Sequence, residues 1–290
     1  MISRRGFLRT IGSLMLSGVA TGAYAVGIEP IRQPRVKRYQ LVPTNWPAGL
    51  KLRLVVLADI HACTPWMSPQ RIGEICQQAN ALGGDMILLL GDFLSGMRLR
   101  TGHVEPEDWA RELARLSAPL GVHAVLGNHD WLDDPGAMAA GRGPTLVHGA
   151  LASINVPVYD NRASRFEKDG QPFWLAGLAD QIGPWEGLDD LPATMAQISD
   201  EAPVILMAHE PDVFPTVPER VSLTLSGHTH GGQIRLFGYS PVVPSRFRNR
   251  YVYGHIVEND RSLIVSGGLG TSVLPVRFGS PPEIVVVELG

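Results

Sequence analysis

The order of apolar runs in the first half of the chain is the feature that most constrains the fold. Three runs have the length and composition of buried strands: LRLVVLA (52–58), MILLL (86–90) and VHAVL (122–126). The segments between them, residues 68–84 and 106–116, carry apolar residues at helical spacing. Strands that alternate with helices predict a parallel sheet with crossover helices.

The second half of the chain has short apolar runs with few helical patterns between them. These candidate strands are FWLAGL (173–178), VILMAH (204–209), LTLSGH (223–228), LIVSG (263–267) and IVVVEL (284–289). Parallel strands need long crossover connections, so their scarcity here predicts a second, more antiparallel sheet packed on the first. A chain of 290 residues that is 44% hydrophobic can bury both sheets in one domain.

The first 28 residues have the pattern of an export signal. Arg4, Arg5 and Arg9 precede the uncharged apolar run IGSLMLSGVATGAYAVGI. The paired arginines in SRRGFL resemble the twin-arginine motif that the Tat export machinery reads. Ala23-Tyr24-Ala25 offers a small-x-small cleavage site, but the run is also just long enough to span a bilayer. We therefore expect a periplasmic protein, or one on the outer face of the cytoplasmic membrane with this segment retained as an anchor.

Residues 29–50 separate the signal from the first strand. The stretch includes IRQPRVKRY and four prolines, which disfavour helices and central strands. We expect an extended linker here, followed by one domain over residues 51–290.

Charge and cysteine content exclude two classes of protein. The formal net charge is −3, whereas a general nucleic-acid-binding protein presents a basic face, so we expect no specific nucleic-acid partner. Two cysteines, Cys63 and Cys76, are few for a secreted protein held together by disulfides. Cys76 lies on the apolar face of a predicted helix, and we expect it to pack in the core.

Side chains that can bind a metal follow five of the apolar runs. The carboxyl ends of strands are where sites form in α/β sheets, so we expect these loops to meet. Glycines at 91, 127 and 227 would let the backbone turn sharply there. The side chains are, in chain order, Asp59 and His61; Asp92; Asn128, His129 and Asp130; His209; and His228 and His230.

The chemistry of these residue types suits divalent transition metals. Histidine and carboxylate are ligands for such ions, and the two-residue spacing in Asp59/His61 and in His228/His230 places both side chains of each pair on one side of an extended segment. Three Asp or Asn oxygens and four His nitrogens exceed what one ion can use, but two ions that share a carboxylate would use them all, without Cys63. Two-metal sites of this kind serve phosphatases and nucleases. The identity of the ions, among Mn, Fe, Zn, Ni and Co, stays open.

The motifs DIH, GD, GNHD, a lone His and GHTH, in this order, resemble those of the calcineurin-like metallophosphoesterases over roughly residues 50–290. GHTHGGQIRL and GLGTSVLPVRFGSPPEI are similar to the bacterial phosphodiesterase branch, several of whose members carry Tat signals. The resemblance implies an α/β fold, a four-layer α/β/β/α sandwich with two packed mixed β-sheets flanked by helices. It also implies a dinuclear metal site at the strand ends and a bridging hydroxide that attacks phosphorus.

The resemblance also implies a role for each matching position. One group of residues, Asp59, His61 and His230, would hold the first ion. A second group, Asn128, His209 and His228, would hold the other, and Asp92 would bridge the two ions with one oxygen to each. His129 matches the family histidine that binds no metal and lies over the substrate phosphate, where it can protonate the leaving group.

One position departs from the family pattern. Many members carry Asp or Arg three residues after the bridging Asp, and in some members that Asp orients the catalytic histidine. This chain has Ser95 there, in GDFLS. Asp130 and a backbone carbonyl are the two substitutes that the sequence offers.

These residues favour a two-metal phosphodiesterase acting outside the cytoplasm. A pyrophosphatase or diesterase for a lipid-linked or nucleotide-linked envelope substrate, similar to UDP-diacylglucosamine pyrophosphatases, is the alternative. A metal-binding scaffold without turnover is a third hypothesis. The basic and aromatic stretch after GHTH, with Arg235, Arg246, Arg248 and Arg250, would grip an anionic substrate or a lipid surface, or would be a solvated loop whose arginines pair with acids.

Overall fold

The computed structural model describes residues 3–183 and 187–290. Helix α2 begins as predicted, because Ser68 accepts a hydrogen bond from Arg71 N and Pro69 is its first residue. Its predicted apolar face, which includes Cys76, is buried. The α-helices are α1 (Arg4–Gly27), α2 (Pro69–Ala81), α3 (Pro106–Leu113), α4 (Asn128–Leu132), α5 (Pro135–Ala140), α6 (Leu146–Ser153) and α7 (Leu191–Ala196).

Thirteen strands form two large sheets and a two-stranded ribbon of β3 and β5 in the described part of the chain. The strands are β1 (Arg35–Leu41), β2 (Leu52–Leu57), β3 (Cys63–Thr64), β4 (Met86–Leu90), β5 (Gly102–His103), β6 (Val122–Val125), β7 (Arg162–Lys168), β8 (Gln171–Gly177), β9 (Val204–Met207), β10 (Val221–Ser226), β11 (Gly254–Glu258), β12 (Arg261–Val265) and β13 (Glu283–Leu289).

The first sheet has the order β1-β13-β2-β4-β6. The three predicted strands β2, β4 and β6 pair in parallel, as expected for strands joined by crossover helices. Strand β13 returns antiparallel to β2 and parallel to β1. The sheet is therefore mixed, and its parallel strands end at one common edge.

The second sheet has the order β11-β12-β10-β9-β8-β7. In the described part of the chain two of its five strand pairings are antiparallel, against one of four in the first sheet, so it is mixed and only slightly more antiparallel than the first, as predicted. Strands β8, β9, β10 and β12 pair in parallel, and only the edge strands β7 and β11 are antiparallel to their neighbours. Irregular loops and short helices make the crossovers, such as the turn Pro211–Thr216, and these carry no long helical pattern that a sequence would reveal.

The two sheets pack face to face, with helical segments on both outer faces. A core of side chains including Leu54, Leu88 and Leu225 fills the space between the sheets. On the outer face of the first sheet lies a core shared with α2, α3 and α6. On the outer face of the second sheet, α7 and the 3-10 turns Pro211–Thr216 and Arg248–Tyr251 cover the strands. This is the predicted four-layer α/β/β/α sandwich.

Residues 29–50 are more ordered than the predicted linker. Arg35–Leu41 form strand β1, whose seven residues pair in register with β13. A short 3-10 helix, Glu29–Ile31, precedes it, and the Arg71 side chain donates to the backbone carbonyls of residues 30–32. The linker prediction failed because the pairing of β1 depends on a strand far away in sequence.

Helix α1 extends from the body of the protein. Among the described residues it is the one helix long and apolar enough to cross a membrane, and most of it is exposed. Its C-terminal end is held in place: Arg277 N donates to Ala25 O, and the Trp66 indole donates to Val26 O. The prediction of an apolar N-terminal segment that fits a signal or an anchor therefore agrees with the structure.

Candidate metal centre

Seven of the predicted site residues meet at the edge where the strands end. The loops after β2, β4, β6, β9 and β10 supply them. Their ligand atoms form two groups, Asp59, His61, Asp92 and His230 in one, and Asp92, His209 and His228 in the other. Asn128 joins the second group, since its Oδ1 lies 2.9 Å from His228 Nδ1. Asp92 belongs to both groups, as a bridging residue would.

Left-handed backbone conformations bring these side chains together. Five of them have φ between 46° and 67°, namely Asp59, His61, Asp92, His228 and His230. Residues other than glycine rarely adopt this region, and such strain concentrates at functional sites. The prediction that the Asp59/His61 and His228/His230 pairs lie on extended segments was therefore wrong. Kinked backbone, and not strand alternation, turns both members of each pair inward.

The residues that follow β6 are helical. Asn128, His129 and Asp130 form the first turn of helix α4, so their side chains diverge around a helix axis. Asn128 faces the cluster, His129 is partly exposed beside it, and Asp130 is buried beneath it. The three neighbours consequently have three separate environments.

Asp92 faces both groups with a single oxygen. Its Oδ2 lies 3.3 Å from His61 Nε2 and 3.2 Å from His209 Nε2. Its Oδ1 accepts a hydrogen bond of 2.9 Å from the backbone N–H of His129. Oδ2 therefore faces a histidine of each group, while Oδ1 is engaged by the first turn of helix α4.

Three of the four clustered histidines donate their second ring nitrogen to a backbone carbonyl. His61 Nδ1 donates to Leu94 O at 2.9 Å, and His228 Nε2 donates to Pro244 O at 2.7 Å. His209 Nδ1 donates to Leu90 O. This pattern fixes the tautomer and leaves the other nitrogen free to bind a metal, as in most metal-binding histidines.

Two observations test whether a metal fits here. Asp59 Oδ2 and His209 Nε2 are buried without a hydrogen-bond partner among the described residues. Such orphaned atoms are costly unless something else satisfies them, and a bound cation would do so. Burial, together with the nearby charge of Asp92, raises the pKa of Asp59 to about 6. Burial also lowers the pKa of His228 to about 3, which keeps its ring neutral as a metal ligand must be.

Small residues let the loops approach each other closely. A Cβ on Gly127 would lie 2.4 Å from Asp92 Oδ1 and 2.6 Å from the His209 ring. Its φ is −115°, so closeness, and not an unusual turn, requires glycine there. Gly91 does need its conformational freedom, with φ of 87°. The prediction that all three glycines serve sharp turns holds only for Gly91 in the described structure.

His129 lies at the edge of the cluster with a defined orientation. Its Nδ1 lies 2.5 Å from Asp133 Oδ2, one helical turn later on α4, and its Nε2 lies 3.0 Å from Ser272 Oγ. Burial alone would lower the pKa of His129, but the charge of Asp92 and the hydrogen bond with Asp133 outweigh burial and raise it to about 9. A ring that holds a proton near neutral pH can donate it.

A cavity of about 480 Å³ opens beside the cluster. Its polar lining residues are Asp92, Asn128, His129, His228, Thr229, His230, Gln233 and Ser272. Most of the remaining lining is apolar, and no Lys or Arg is among the lining residues in the part of the chain that the structure describes.

Three of the four arginines of the basic stretch bind acids or aromatic rings in the described part of the chain. Arg250 pairs with Glu258 at 2.8 Å, and Arg246 lies 3.6 Å from Asp212. Asp212 also accepts hydrogen bonds from the Ser245 hydroxyl and the Arg246 backbone N–H. The Arg235 guanidinium stacks 4.8 Å from the centre of the Tyr253 ring. The structure thus favours the interpretation of this stretch as a surface loop with internally paired arginines.

The sequence matches a known protein family over the region that holds the clustered residues. The sequence profile described as calcineurin-like phosphoesterase matches residues 52–232, more than half of the chain and all of the clustered residues. The chain belongs to this family. It is therefore a metal-dependent hydrolase that acts on phosphoester bonds, and family members use divalent ions.

Relatives of this phosphoesterase cover most of its length. The uncharacterized metallophosphoesterase YkuE of Bacillus subtilis is 28% identical, with 99% of this chain and 98% of the relative aligned. A Danio rerio protein named as a transmembrane protein with a metallophosphoesterase domain is 25% identical over 99% of this chain and 64% of its own. A putative 5'-nucleotidase structure from Staphylococcus aureus matches with TM-score 0.47 and 15% identity, over 81% of this chain and 54% of that one. The chain thus spans about half of that nucleotidase.

In this phosphoesterase the His129 ring contacts Asp133 and Ser272, so neither Asp130 nor a backbone carbonyl orients it. Ser95 binds Met97 N, and Asp130 accepts hydrogen bonds from the backbone N–H groups of Asp92, Phe93, Leu94 and Gly127. Asp130 therefore ties the loop after β4 to the loop after β6. The residue that orients His129 is Asp133, which sequence analysis missed. The four-residue spacing of His129 and Asp133 would have indicated this contact, because side chains four residues apart meet on one face of a helix. Helix α4 was not predicted, so the spacing carried no signal.

Proposed function

We propose that this phosphoesterase is a phosphodiesterase that uses two divalent ions held by the seven clustered residues. One ion would bind to Asp59, His61 and His230, and the other to Asn128, His209 and His228. The observation that carries the proposal is Asp92, whose Oδ2 lies within 3.3 Å of a histidine from each group. When bound, the two cations would offset the charge of the phosphodiester and lower the pKa of the attacking water.

The chain's own residues would then manage the leaving group. His129 Nε2 donates its proton to the departing alkoxide, while Asp133 holds Nδ1 and so fixes the ring. Nε2 lies 3.0 Å from Ser272 Oγ, and a leaving-group oxygen at the same distance from Nε2 would accept that proton. The backbone N–H of His129 holds Asp92 Oδ1, so the proton donor and the bridging residue are positioned by one helix.

The lining of the cavity supports a diester over a monoester. A phosphate monoester carries up to two negative charges, and cationic side chains commonly bind such groups. No Lys or Arg lines the cavity within the described residues. A diester carries one charge and two organic groups, which suits a centre bordered by apolar walls.

A metal-dependent assay tests this proposal. We expect hydrolysis of bis-p-nitrophenyl phosphate by the chelated protein after addition of Mn, Ni, Co, Fe or Zn, and faster hydrolysis than of p-nitrophenyl phosphate. Hydrolysis with none of these metals would instead support the metal-binding scaffold. A preference for the monoester would contradict the diesterase while leaving the phosphoesterase intact.

We also infer export by the Tat machinery, with α1 retained as an anchor on the outer face of the cytoplasmic membrane. The Ala23-Tyr24-Ala25 motif supports retention, because Ala25 is buried and its carbonyl accepts a hydrogen bond from Arg277 N. A protease would have to unfold this contact to reach the bond after Ala25. The relatives named as transmembrane proteins are consistent with an anchor.

Fractionation and mass measurement test the location. We expect the full chain, with residues 1–28, in the membrane fraction, where protease added outside the cytoplasm can reach it. The double variant Arg4→Lys/Arg5→Lys should keep the protein in the cytoplasm, because Tat export requires the arginine pair. A soluble periplasmic protein that begins at Val26 would overturn the anchor but not export.

A further inference from the structure

The cavity beside the metal centre has a long apolar wall. We name this wall the apolar trough; its residues are Ile234, Pro241, Val242, Val273, Leu274 and Val276. The trough shares one cavity with the metal-facing residues, so a molecule whose phosphate lies over Asp92 and His129 must place an attached group against it. An apolar surface of this kind binds hydrocarbon, because burial removes both surfaces from water.

The loop of residues 233–242 forms the outer rim of the trough, since Gln233, Ile234, Pro241 and Val242 line the cavity. Leu236 and Tyr239 pair through both backbone hydrogen bonds, at 2.8 and 2.9 Å, and this tight turn presents Phe237 to solvent. Phe237 is fully exposed, and Val242 is 75% exposed. Exposed apolar side chains that cluster at the mouth of a site mark a surface that contacts a membrane or another apolar partner.

The retained helix ends beside this rim. The Tyr24 ring packs edge-on against Phe278, with 6.2 Å between ring centres. Phe278 in turn pairs with the rim loop, since its carbonyl accepts from Arg235 N and its N–H donates to Gln233 O. A single short segment therefore contacts the end of α1 on one side and the mouth of the trough on the other. A bilayer that holds α1 would lie next to that mouth.

We propose that the substrate is a membrane phosphodiester whose hydrocarbon chain occupies the apolar trough while its phosphate lies over the metal centre. This inference rests on the proposed phosphodiesterase function and names its substrate class. The reaction adds one water across the bond from phosphorus to the leaving oxygen. The products are a phosphate monoester and an alcohol, whose hydroxyl receives the proton from His129.

A series of chromogenic diesters tests the trough separately from the chemistry. Methyl, butyl and hexyl p-nitrophenyl phosphate share one leaving group and differ only in the length of the alkyl chain. For the full-length protein in nanodiscs we expect kcat/KM to rise by about two- to fourfold for each methylene that enters the trough. A kcat/KM that does not change along the series would overturn the inference.

Two variants make the test specific to this wall. We expect Val242→Ser/Leu274→Ser to reduce the ratio of kcat/KM for the hexyl ester to that for the methyl ester by at least about tenfold, because both side chains line the trough. Val257→Ser, an exposed apolar position on β11 outside the trough, should keep the ratio of the wild type. An unchanged ratio in the double variant would also overturn the proposal.

Failure of the proposed function gives a different result. If bis-p-nitrophenyl phosphate is not hydrolysed with any metal, the diesterase proposal fails, and no alkyl ester will be hydrolysed either. If that compound is hydrolysed but chain length has no effect, the diesterase stands and the trough does not bind hydrocarbon.

Discussion

Asn128 and His129 are neighbours in sequence, yet their side chains face different partners. Asn128 Oδ1 points to His228 within the cluster, whereas His129 lies between Asp133 and Ser272 at the cavity. Both residues lie in the first turn of α4, so their side chains project from the helix in different directions. Metal binding and proton transfer can therefore be changed independently by substituting one residue or the other.

Replacement of His129 by Ala should keep the metals and lose turnover. The ring contributes no atom to either metal group, but in the proposed mechanism it supplies the proton to the leaving group. We expect kcat to fall by about 10²–10⁴-fold, the usual contribution of a general acid. Metal content by mass spectrometry checks the first expectation, and hydrolysis of a diester with an alkyl leaving group, whose alkoxide needs the proton, checks the second. Asp92→Ala is the contrast, because it should lose the metals, and equal metal loss in both variants would contradict the assignment.

Replacement of Asp133 by Asn should lower kcat with little change in KM or metal content. Asp133 contacts His129 but no clustered residue, so the loss comes from a poorly oriented ring. A fall of about 10- to 100-fold is typical for a residue that orients a functional histidine. Asp160→Asn is a matched control, since Asp160 pairs with His148 at 2.6 Å away from the cavity. Equal losses in the two variants would show a general effect on stability.

At the scale of structural elements, the loops after the strands are packed against one another with little spare space. Gly127→Ala should displace Asp92, because its Cβ would lie 2.4 Å from Asp92 Oδ1. We expect metal affinity and activity to fall together, by at least about 10-fold. Gly149→Ala in α6 is the control, since a Cβ there meets no atom within 4 Å. It should leave activity unchanged and stabilise the fold by roughly 0.5–1 kcal/mol.

Strand β6 carries a buried histidine that makes stability depend on pH. His123 donates to Leu120 O and contacts Tyr159, and burial lowers its pKa below the usual 6.5. The unfolded chain therefore takes up a proton more readily, so this contribution to stability is complete above pH 6.5 and is lost as the pH falls toward the lowered pKa. We expect His123→Gln to show a smaller drop in Tm between pH 7 and pH 5. The exposed His103→Gln should retain the wild-type drop.

The sequence predicted the elements whose patterns are local and missed those whose partners are distant. β2, β4, β6 and α2 carry strong apolar periodicity, and the residues after these strands indicated the cluster at once. Strand β1 was missed because its sequence, RVKRYQL, shows no regular alternation of apolar and polar residues. Its partner strand β13 is also distant in sequence. Asp133 and Asp134 look alike in WLDDPG, although one orients His129 and the other caps α5. The trough combines loop residues with no periodicity, so only the fold assembles it.

At the scale of the whole molecule, metal ions should stabilise the fold. Asp59 and Asp92 are fully buried close together, and without cations their charges oppose each other. A ligand present at about 100 times its Kd adds about 2.7 kcal/mol, which corresponds to roughly 5–10 °C in Tm for a domain of this size. Chelation followed by thermal unfolding checks this, and added Mn should restore the original Tm. An unchanged Tm after chelation would mean that the cluster holds no metal in the purified protein.

The position of β13 has a consequence for how the protein is made. This strand, late in the sequence, lies between β1 and β2, which are early, and nearly all of its residues are buried. The ribosome therefore releases β1 and β2 long before their common neighbour exists, and the first sheet stays open until residues 283–289 emerge. During that time β1 has no partner strand, and its edge is open to pairing with other chains. Any passage of the folded protein across a membrane must come after translation has reached β13.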